Sequence, residues 1–433
     1  MVWREITGRG GCFKTKIHGC SGSPRPVVYL GMQNGPLFSP QSDEGHSNDG
    51  ASWDFSTKAV HAGVFPDPTT GAIMTPIFQT STYVQESPGQ HKGYAYARGK
   101  NPTRSQLESA LAALENASYG LCFSSGMGAI DAVLKRLRPG DEVVCGDDLY
   151  GGSYRLFTRQ YEPMGIRFHW VDQTDLLAVR AATNAKTRLI WAETPTNPLM
   201  KVADIRGLAA LANEKGVLLA VDNTFASPYL QNPLNLGAHL VMHSATKYLG
   251  GHSDLVMGFL ATNQKELHEE LAFILNSSGA NPGPMDCYLA LRGIKTLHLR
   301  MKAHCENGQA VAHFLVAHPK VGKVYWPGLP DHPGHAVAAA QMRGFGGMIS
   351  FDLASGRLED AMKVASSTRL FALAESLGGV ESLIGHPASM THASIPREQR
   401  LASGVTDTLL RLSVGVEGTK DLLQDLESAL AGV

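Results

Sequence analysis

The 433-residue sequence predicts an α/β fold: a mostly parallel seven-stranded sheet covered by helices, an extended N-terminal arm, and a smaller α+β domain at the C-terminal end. Two observations carry that prediction. From residue 119 short apolar runs alternate with segments of helical period, and after about residue 295 strands become sparse while amphipathic helices multiply. Strands separated by whole helices need crossover connections, and crossovers build parallel sheets buried on both faces.

The elements follow in order. Residues 1–50 are rich in Gly, Ser, Pro and Asn, with Arg4, Arg9, Lys14, Lys16 and Arg25 against one early acid, Glu5, and are expected to form a disordered extension. Its glycine clusters and Pro24, Pro26, Pro36 and Pro40 suit an amphipathic targeting helix poorly, so the expected location is cytoplasmic. Residues 51–98 carry Pro66, Pro68, Pro76, Pro88 and several aromatics without regular period, as an arm lying over something else would. Residues 99–295 hold the expected strands 119–123, 142–145, 167–171, 188–192, 217–221, 239–243 and 255–260. Between the first two, Met127, Ile130, Val133, Leu134 and Leu137 share one helical face, and Pro139-Gly140 stops it. Residues 296–433 form the second domain, with strands expected at 348–353 and 409–416 and an amphipathic helix at 421–430.

Composition narrows the function. Hydrophobic residues make up 43% of the chain, enough for a large core, and 39 acids against 38 bases leave a net charge of −1. No long basic run marks a nucleic-acid or membrane partner, and no apolar stretch reaches the roughly 18 residues of a membrane span. Six scattered cysteines without a CxxC pair fit reduced thiols, not a disulfide scaffold or a metal site.

Three strand ends carry chemistry. Ser244-Ala-Thr-Lys247-Tyr-Leu-Gly-Gly251 follows a candidate strand at its carboxyl end, where open α/β sheets gather their ligands. A lysine there, preceded by two hydroxyls, can bond the aldehyde of pyridoxal phosphate (PLP) while Ser244 and Thr246 reach its phosphate. Asp222 ends the apolar run Val217-Leu-Leu-Ala-Val221 and can pair with a protonated pyridine nitrogen. Ser124-Ser125-Gly126-Met127-Gly128 joins the first strand to its helix and offers backbone N–H groups to a phosphate. Each alone also reads as a surface loop, a turn cap or a tight turn; the three in this order on successive strand ends read as a cofactor site. Signatures of nicotinamide, P-loop, serine-hydrolase and HExxH metal chemistry are missing, the nearest match to the last failing at Ala272.

From Phe55 to Leu430 the sequence resembles the Cys/Met-metabolism family of PLP-dependent enzymes, of fold type I, and within it the branches that handle cystathionine at its γ carbon. The resemblance rests on Thr75-Pro-Ile-Phe-Gln-Thr-Ser-Thr-Tyr83, Tyr94-Ala-Tyr96-Ala-Arg98 with Asn101-Pro-Thr-Arg104, Asp148-Leu-Tyr150-Gly-Gly152, Glu193-Thr-Pro-Thr-Asn197-Pro198, Val221-Asp222-Asn-Thr224, Ser244-Ala-Thr-Lys247, Glu375-Ser-Leu-Gly-Gly379, Met390-Thr-His392 and Arg411-Leu-Ser-Val414. It implies that Lys247 holds the cofactor and then moves protons, that Asp222 pairs with the ring nitrogen, and that Tyr150 stacks on the ring and helps deprotonate the incoming amine. Gly126, Met127, Ser244 and Thr246 would hold the phosphate, joined by Tyr96 and Arg98 from a neighbouring subunit, in a homotetramer built of such dimers. Arg411, helped by Asn197 and Ser376, would clamp the α-carboxylate of a small amino-acid substrate. Arg155 and Glu375 would face its distal end, and His392 would be structural.

The implied reaction is γ-elimination from cystathionine to cysteine, 2-oxobutanoate and ammonia. The alternative is γ-replacement, in which cysteine attacks O-succinyl- or O-acetylhomoserine. A PLP-binding fold without turnover is the alternative from a different class. Gly152, where methionine γ-lyases place cysteine, and the acid at Glu375 both argue against methionine as substrate.

Overall fold

In a computed structural model of the chain, residues 52–433 apart from 394 are described. The expected disordered extension, residues 1–50, lies outside them.

The first sheet has the seven expected strands: β1 (Tyr119–Phe123), β2 (Glu142–Gly146), β3 (Arg167–Val171), β4 (Thr187–Glu193), β5 (Leu218–Asp222), β6 (Leu240–Ser244) and β7 (Gly258–Thr262). Their order is β1-β7-β6-β5-β4-β2-β3. Strands β2 to β6 pair in parallel, while β7 runs antiparallel to both β1 and β6. Every residue of β2 and β7 is buried, as expected where helices cover both faces. On one face the helix Gly126–Leu134 places Ile130 and Val133 against Phe123, Leu240, Met242 and Leu260. On the other, Leu208 and Leu211 of the helix Ile205–Lys215 cover Ile190, Leu219 and Val221. That helix ends at Gly216, whose φ of 65° is the left-handed conformation that closes helices.

The second sheet has more strands than the two expected. Its order is β10-β11-β12-β9-β8, where β8 is Val321–Tyr325, β9 Met348–Leu353, β10 Ala372–Leu373, β11 Leu383–Gly385 and β12 Leu409–Ser413. The added strands are a half-exposed edge and two pieces of two and three residues, too short to show an alternating pattern. Helices Leu297–Ala317, Leu358–Ser367 and Thr419–Leu430 close its core around Val311, Phe351, Phe371, Leu412 and Leu426.

Ahead of the first sheet come a short helix, Phe55–His61, and an irregular run with isolated bridges Thr82↔Tyr96 and Ser87↔Gln90. The helix Pro102–Leu114 then begins where the Asn101 side chain accepts from the N–H groups of Thr103 and Arg104, with Pro102 at the first position, where a missing N–H costs nothing.

Candidate active site

Parallel strands β5 and β6 end side by side, and their register sets the site. Asp222 lies opposite Met242, so Ser244, two residues further, projects from the same face. The turn after β6 then carries Thr246 and Lys247. The start of the helix Gly126–Leu134 is pressed against Ser244: a Cβ on Gly126 would stand 3.0 Å from the Ser244 Cβ and 3.1 Å from its Oγ. A larger residue would have to push Ser244 back by a few tenths of an ångström, and glycine brings the free N–H groups of a helix start beside a hydroxyl that has no protein partner among the described residues. Ser125 caps the helix by accepting from the Gly128 N–H at 3.0 Å. The Thr246 hydroxyl is pinned by Met257, accepting from its N–H at 3.0 Å and donating to its carbonyl at 3.3 Å. A concave patch of N–H donors and hydroxyls is what a phosphate dianion requires.

Asp222 is buried, and both hydrogen bonds from Thr224, N–H at 3.0 Å and hydroxyl at 2.5 Å, fall on Oδ1. Oδ2 is left for another partner. Burial raises the Asp222 pKa, opposed by those bonds and by the interaction with His243. Glu193 stands beside it in the strand register and is held well above the usual carboxylate range by burial and by Asp222. The two acids form a pair in which each disfavours the other's charge. Glu193 Oε2 also accepts the Tyr150 N–H at 2.9 Å, which fixes the backbone that presents the Tyr150 ring. That ring remains 41% exposed, and a Cβ on Gly152 would collide with it at 2.3 Å. An exposed aromatic ring whose backbone is tied to the acid beside Asp222 suits a flat, cationic heterocycle, so these residues fit PLP.

A second group joins the first through Ser376. The Lys247 Nζ donates to the Ser376 Oγ at 2.8 Å, while the Ser376 carbonyl accepts from Arg411 Nη2 at 2.9 Å. Ser376 holds a φ of 103°, a conformation that costs a non-glycine residue about 1–3 kcal/mol and collects at functional sites. Arg411, on β12, also donates from Nη1 to Asn197 Oδ1 at 2.8 Å and is buried. Burial draws Arg411 down to about 10, with Glu375 countering, and it stays charged at neutral pH. Burial likewise lowers Lys247 to about 8, helped by Arg411 and opposed by Glu375. Glu375 is exposed and lines a depression with Met390, Thr391 and Arg411. Arg155 is exposed at the end of the helix Gly151–Leu156. His392 is buried, donates to the Asn197 carbonyl at 3.2 Å, and is lowered to about 4 mainly by burial, so it is a neutral brace for the residue that holds Arg411.

Hydrogen bonds thus join Lys247, Ser376, Arg411 and Asn197, with Glu375 beside Arg411, while strand ends and close packing group Asp222, Ser244, Thr246 and Gly126, which Met127 follows, and Tyr150 is tied to Glu193 beside Asp222. Tyr96 and Arg98 stand apart: both are exposed on the arm, the Arg98 guanidinium 5.8 Å from the Tyr96 ring centroid, with no recorded contact to Lys247, Asp222 or Ser244. A cleft of about 770 Å³ lined by Lys201, Tyr325, Leu329 and His332 holds none of the expected site residues. No helix among the described residues is long and apolar enough to cross a membrane. Cys122, Cys145, Cys287 and Cys305 are free.

Glu193 and Thr224 received no role from the sequence, although an acid ending a strand next to Asp222 was a usable sign. Asp148, buried with a carboxyl raised by burial to about 6, accepts from the Thr196 hydroxyl and, at 3.2 Å, from the Leu199 N–H; it ties the Tyr150 loop to the Asn197 loop.

Residues 56–431 match the model of a family described as Cys/Met metabolism PLP-dependent enzymes. A cystathionine γ-synthase of Mycobacterium bovis is 54% identical over 87% of this chain and 96% of its own. A cystathionine γ-lyase of Dictyostelium discoideum is 52% identical over 86% and 97%. Among solved structures, the cystathionine γ-lyase of Lactobacillus plantarum complexed with L-serine is 46% identical, covers 87% of this chain and 98% of its own, and superposes with a TM-score of 0.86.

Proposed function

The chain belongs to the Cys/Met-metabolism family of PLP-dependent enzymes, and on that premise we propose that it is a cystathionine γ-lyase, converting L-cystathionine and water to L-cysteine, 2-oxobutanoate and ammonia. The observation that carries the reading is Ser376, which bonds the amine of Lys247 through its hydroxyl and the guanidinium of Arg411 through its carbonyl. A base and a carboxylate clamp held by one residue set a proton on Cα beside the base when the α-carboxylate is bound.

PLP, when bound, supplies an electron sink for charge released at Cα. Lys247 anchors it and, with its pKa drawn down to about 8, takes the Cα proton as general base. Asp222 would pair with the ring nitrogen; Gly126, Met127, Ser244 and Thr246 would hold the phosphate, and Tyr150 would cover the ring and assist deprotonation of the incoming amine. Arg411 and Asn197 fix the α-carboxylate. Glu375 and Arg155 meet the distal end, where the carboxylate of Glu375 favours a substrate carrying a second ammonium group.

Tyr96 and Arg98 serve the phosphate of a neighbouring subunit within a homotetramer. Their own chain leaves them exposed, on an arm whose Ile73 and Val84 are also exposed, at 84% and 94%.

The second reading is γ-replacement of an acylhomoserine by cysteine, favoured by the 54% identity to a γ-synthase. Parallel assays separate the two. Cystathionine alone is followed by 2-oxobutanoate release; O-succinyl- or O-acetylhomoserine with cysteine is followed by cystathionine formation. The lyase reading expects a higher kcat/KM in the first assay. Accumulation of cystathionine that is barely consumed makes the protein a γ-synthase, and an absorbing cofactor without turnover in either assay leaves only a PLP-binding fold.

A further inference from the structure

Behind the sheet, on the face away from the cofactor residues, lies a buried polar cluster that the chemistry above does not use. Alternation along β6 turns Met242 and Ser244 toward the site and His243 to the opposite side. Asn223, next after Asp222, is fully buried there as well. Both meet Glu115, the residue that closes the helix Pro102–Leu114 and is itself buried.

One carboxylate serves three donors. Glu115 Oε1 accepts from His243 Nε2 at 2.5 Å and from Asn223 Nδ2 at 2.9 Å, and Oε2 accepts from Asn232 Nδ2 at 3.2 Å. Asn232 Oδ1 in turn accepts from Arg343 Nη2 at 2.9 Å. Asn223 also exchanges hydrogen bonds with Gln231, whose Nε2 reaches the Thr194 carbonyl next to Glu193 at 3.2 Å. The donors chosen are informative. Asn223 directly follows Asp222, and His243 directly precedes Ser244, so a single anchor grips the ends of the two strands that carry the ring-nitrogen partner and a phosphate partner.

We propose that Glu115 is a positioning residue of the cofactor site, setting from behind the sheet the separation of Asp222 and Ser244 on which grip of the cofactor depends. The electrostatics agree with it: the imidazole that Glu115 holds is also the neighbour whose interaction with Asp222 opposes the effect of burial on that carboxyl. A polar network buried this completely is costly to leave half-satisfied, so its retention needs a return, and firm cofactor binding is the return this geometry offers.

The inference rests on the PLP reading of the site, and the test separates the two. PLP is titrated into cofactor-stripped protein and followed by visible absorbance, for the unaltered chain and for Glu115→Gln, Glu115→Asp and Leu111→Ala, each with a thermal unfolding curve. Leu111 is buried in the same helix and takes no part in the network, so its truncation reports plain destabilisation. The expected result is a PLP Kd raised about 10–100-fold in Glu115→Gln, the range seen when partners behind a bound group are removed, and by less in Glu115→Asp, which keeps the charge. Leu111→Ala should lower Tm and keep the unaltered Kd. If Glu115→Gln does not fold, Glu115→Asp against Leu111→Ala decides by the same comparison. The proposal is overturned if a folded Glu115 variant binds PLP as the unaltered chain does, or if Leu111→Ala weakens binding equally. Failure of the unaltered chain to bind PLP would instead overturn the reading of the site.

Discussion

Asp222, Ser244 and Lys247 come from two adjoining strands and the turn that follows, within residues 222–247 of one sheet. Arg411, Asn197, Ser376 and Lys247 are joined instead by hydrogen bonds between residues 35, 129 and 214 positions apart, reaching from the second sheet to the first. The cofactor half is thus a product of strand register, and the substrate half of tertiary closure. The difference teaches where each half is vulnerable. Register tolerates the loss of one side chain that projects into the site, because the backbone still places its neighbours, so long as the anchor behind the strands is intact. A clamp held by single hydrogen bonds across two sheets does not.

Four measurements sharpen or break that division. The largest effect is expected where the halves meet: Lys247→Ala should lower kcat by about 10⁴-fold or more, since it removes both the base and the covalent anchor. Retention of more than a tenth of the activity would remove Lys247 from the chemistry. Next is pH. The folded site lowers the Lys247 pKa to about 8, so the neutral amine that captures the cofactor's aldehyde is the minor form below that pH and the major form above it. Cofactor incorporation into the stripped protein should therefore rise about tenfold per pH unit from 6 to 7.5 and level off above 8. A profile that keeps climbing to pH 10 would mean an ordinary, solvated lysine.

Smaller effects are expected at the rim. Glu375→Ala removes an exposed charge, worth about 0.2–1 kcal/mol against a distal ammonium, and should raise KM for cystathionine by about 1.4- to fivefold. KM for an acylhomoserine, which lacks that ammonium, should not change; an equal rise for both substrates would place Glu375 elsewhere in the reaction. The smallest is Ser376→Gly. It relieves a φ of 103° and should stabilise the fold by up to about 1 kcal/mol while lowering kcat several-fold through loss of the Lys247 partner. Stabilisation with kcat unchanged would make the hydroxyl dispensable.

The two halves also differ in how much of them the sequence discloses. All seven strands of the first sheet stand within a few residues of their expected places, because most are buried apolar runs stopped by glycine, proline or a polar cluster. Asp222 and Lys247 are recognisable because both sit at the carboxyl ends of such runs. The second sheet is only partly visible: β10 and β11 have two and three residues, too few to show a period. Nothing local to Arg411 announces that Asn197, 214 positions away, will hold it, and Ser376 shows its left-handed backbone only when folded. The Glu115–His243 contact spans 128 positions and has no local sign at all. Motif resemblance supplied the substrate residues; geometry supplied the reasons they act together.

The most direct test of the division is the cofactor-loaded Arg411→Ala protein, measured for PLP affinity and visible absorbance together with kcat/KM for cystathionine. Losing a buried charge-assisted clamp costs about 2–5 kcal/mol, so kcat/KM should fall by roughly 30- to 4,000-fold, with PLP bound as tightly and with the same spectrum as in the unaltered chain. Near-normal turnover, or a turnover loss that merely follows loss of PLP, would contradict a substrate half that is built, and breaks, separately from the cofactor half.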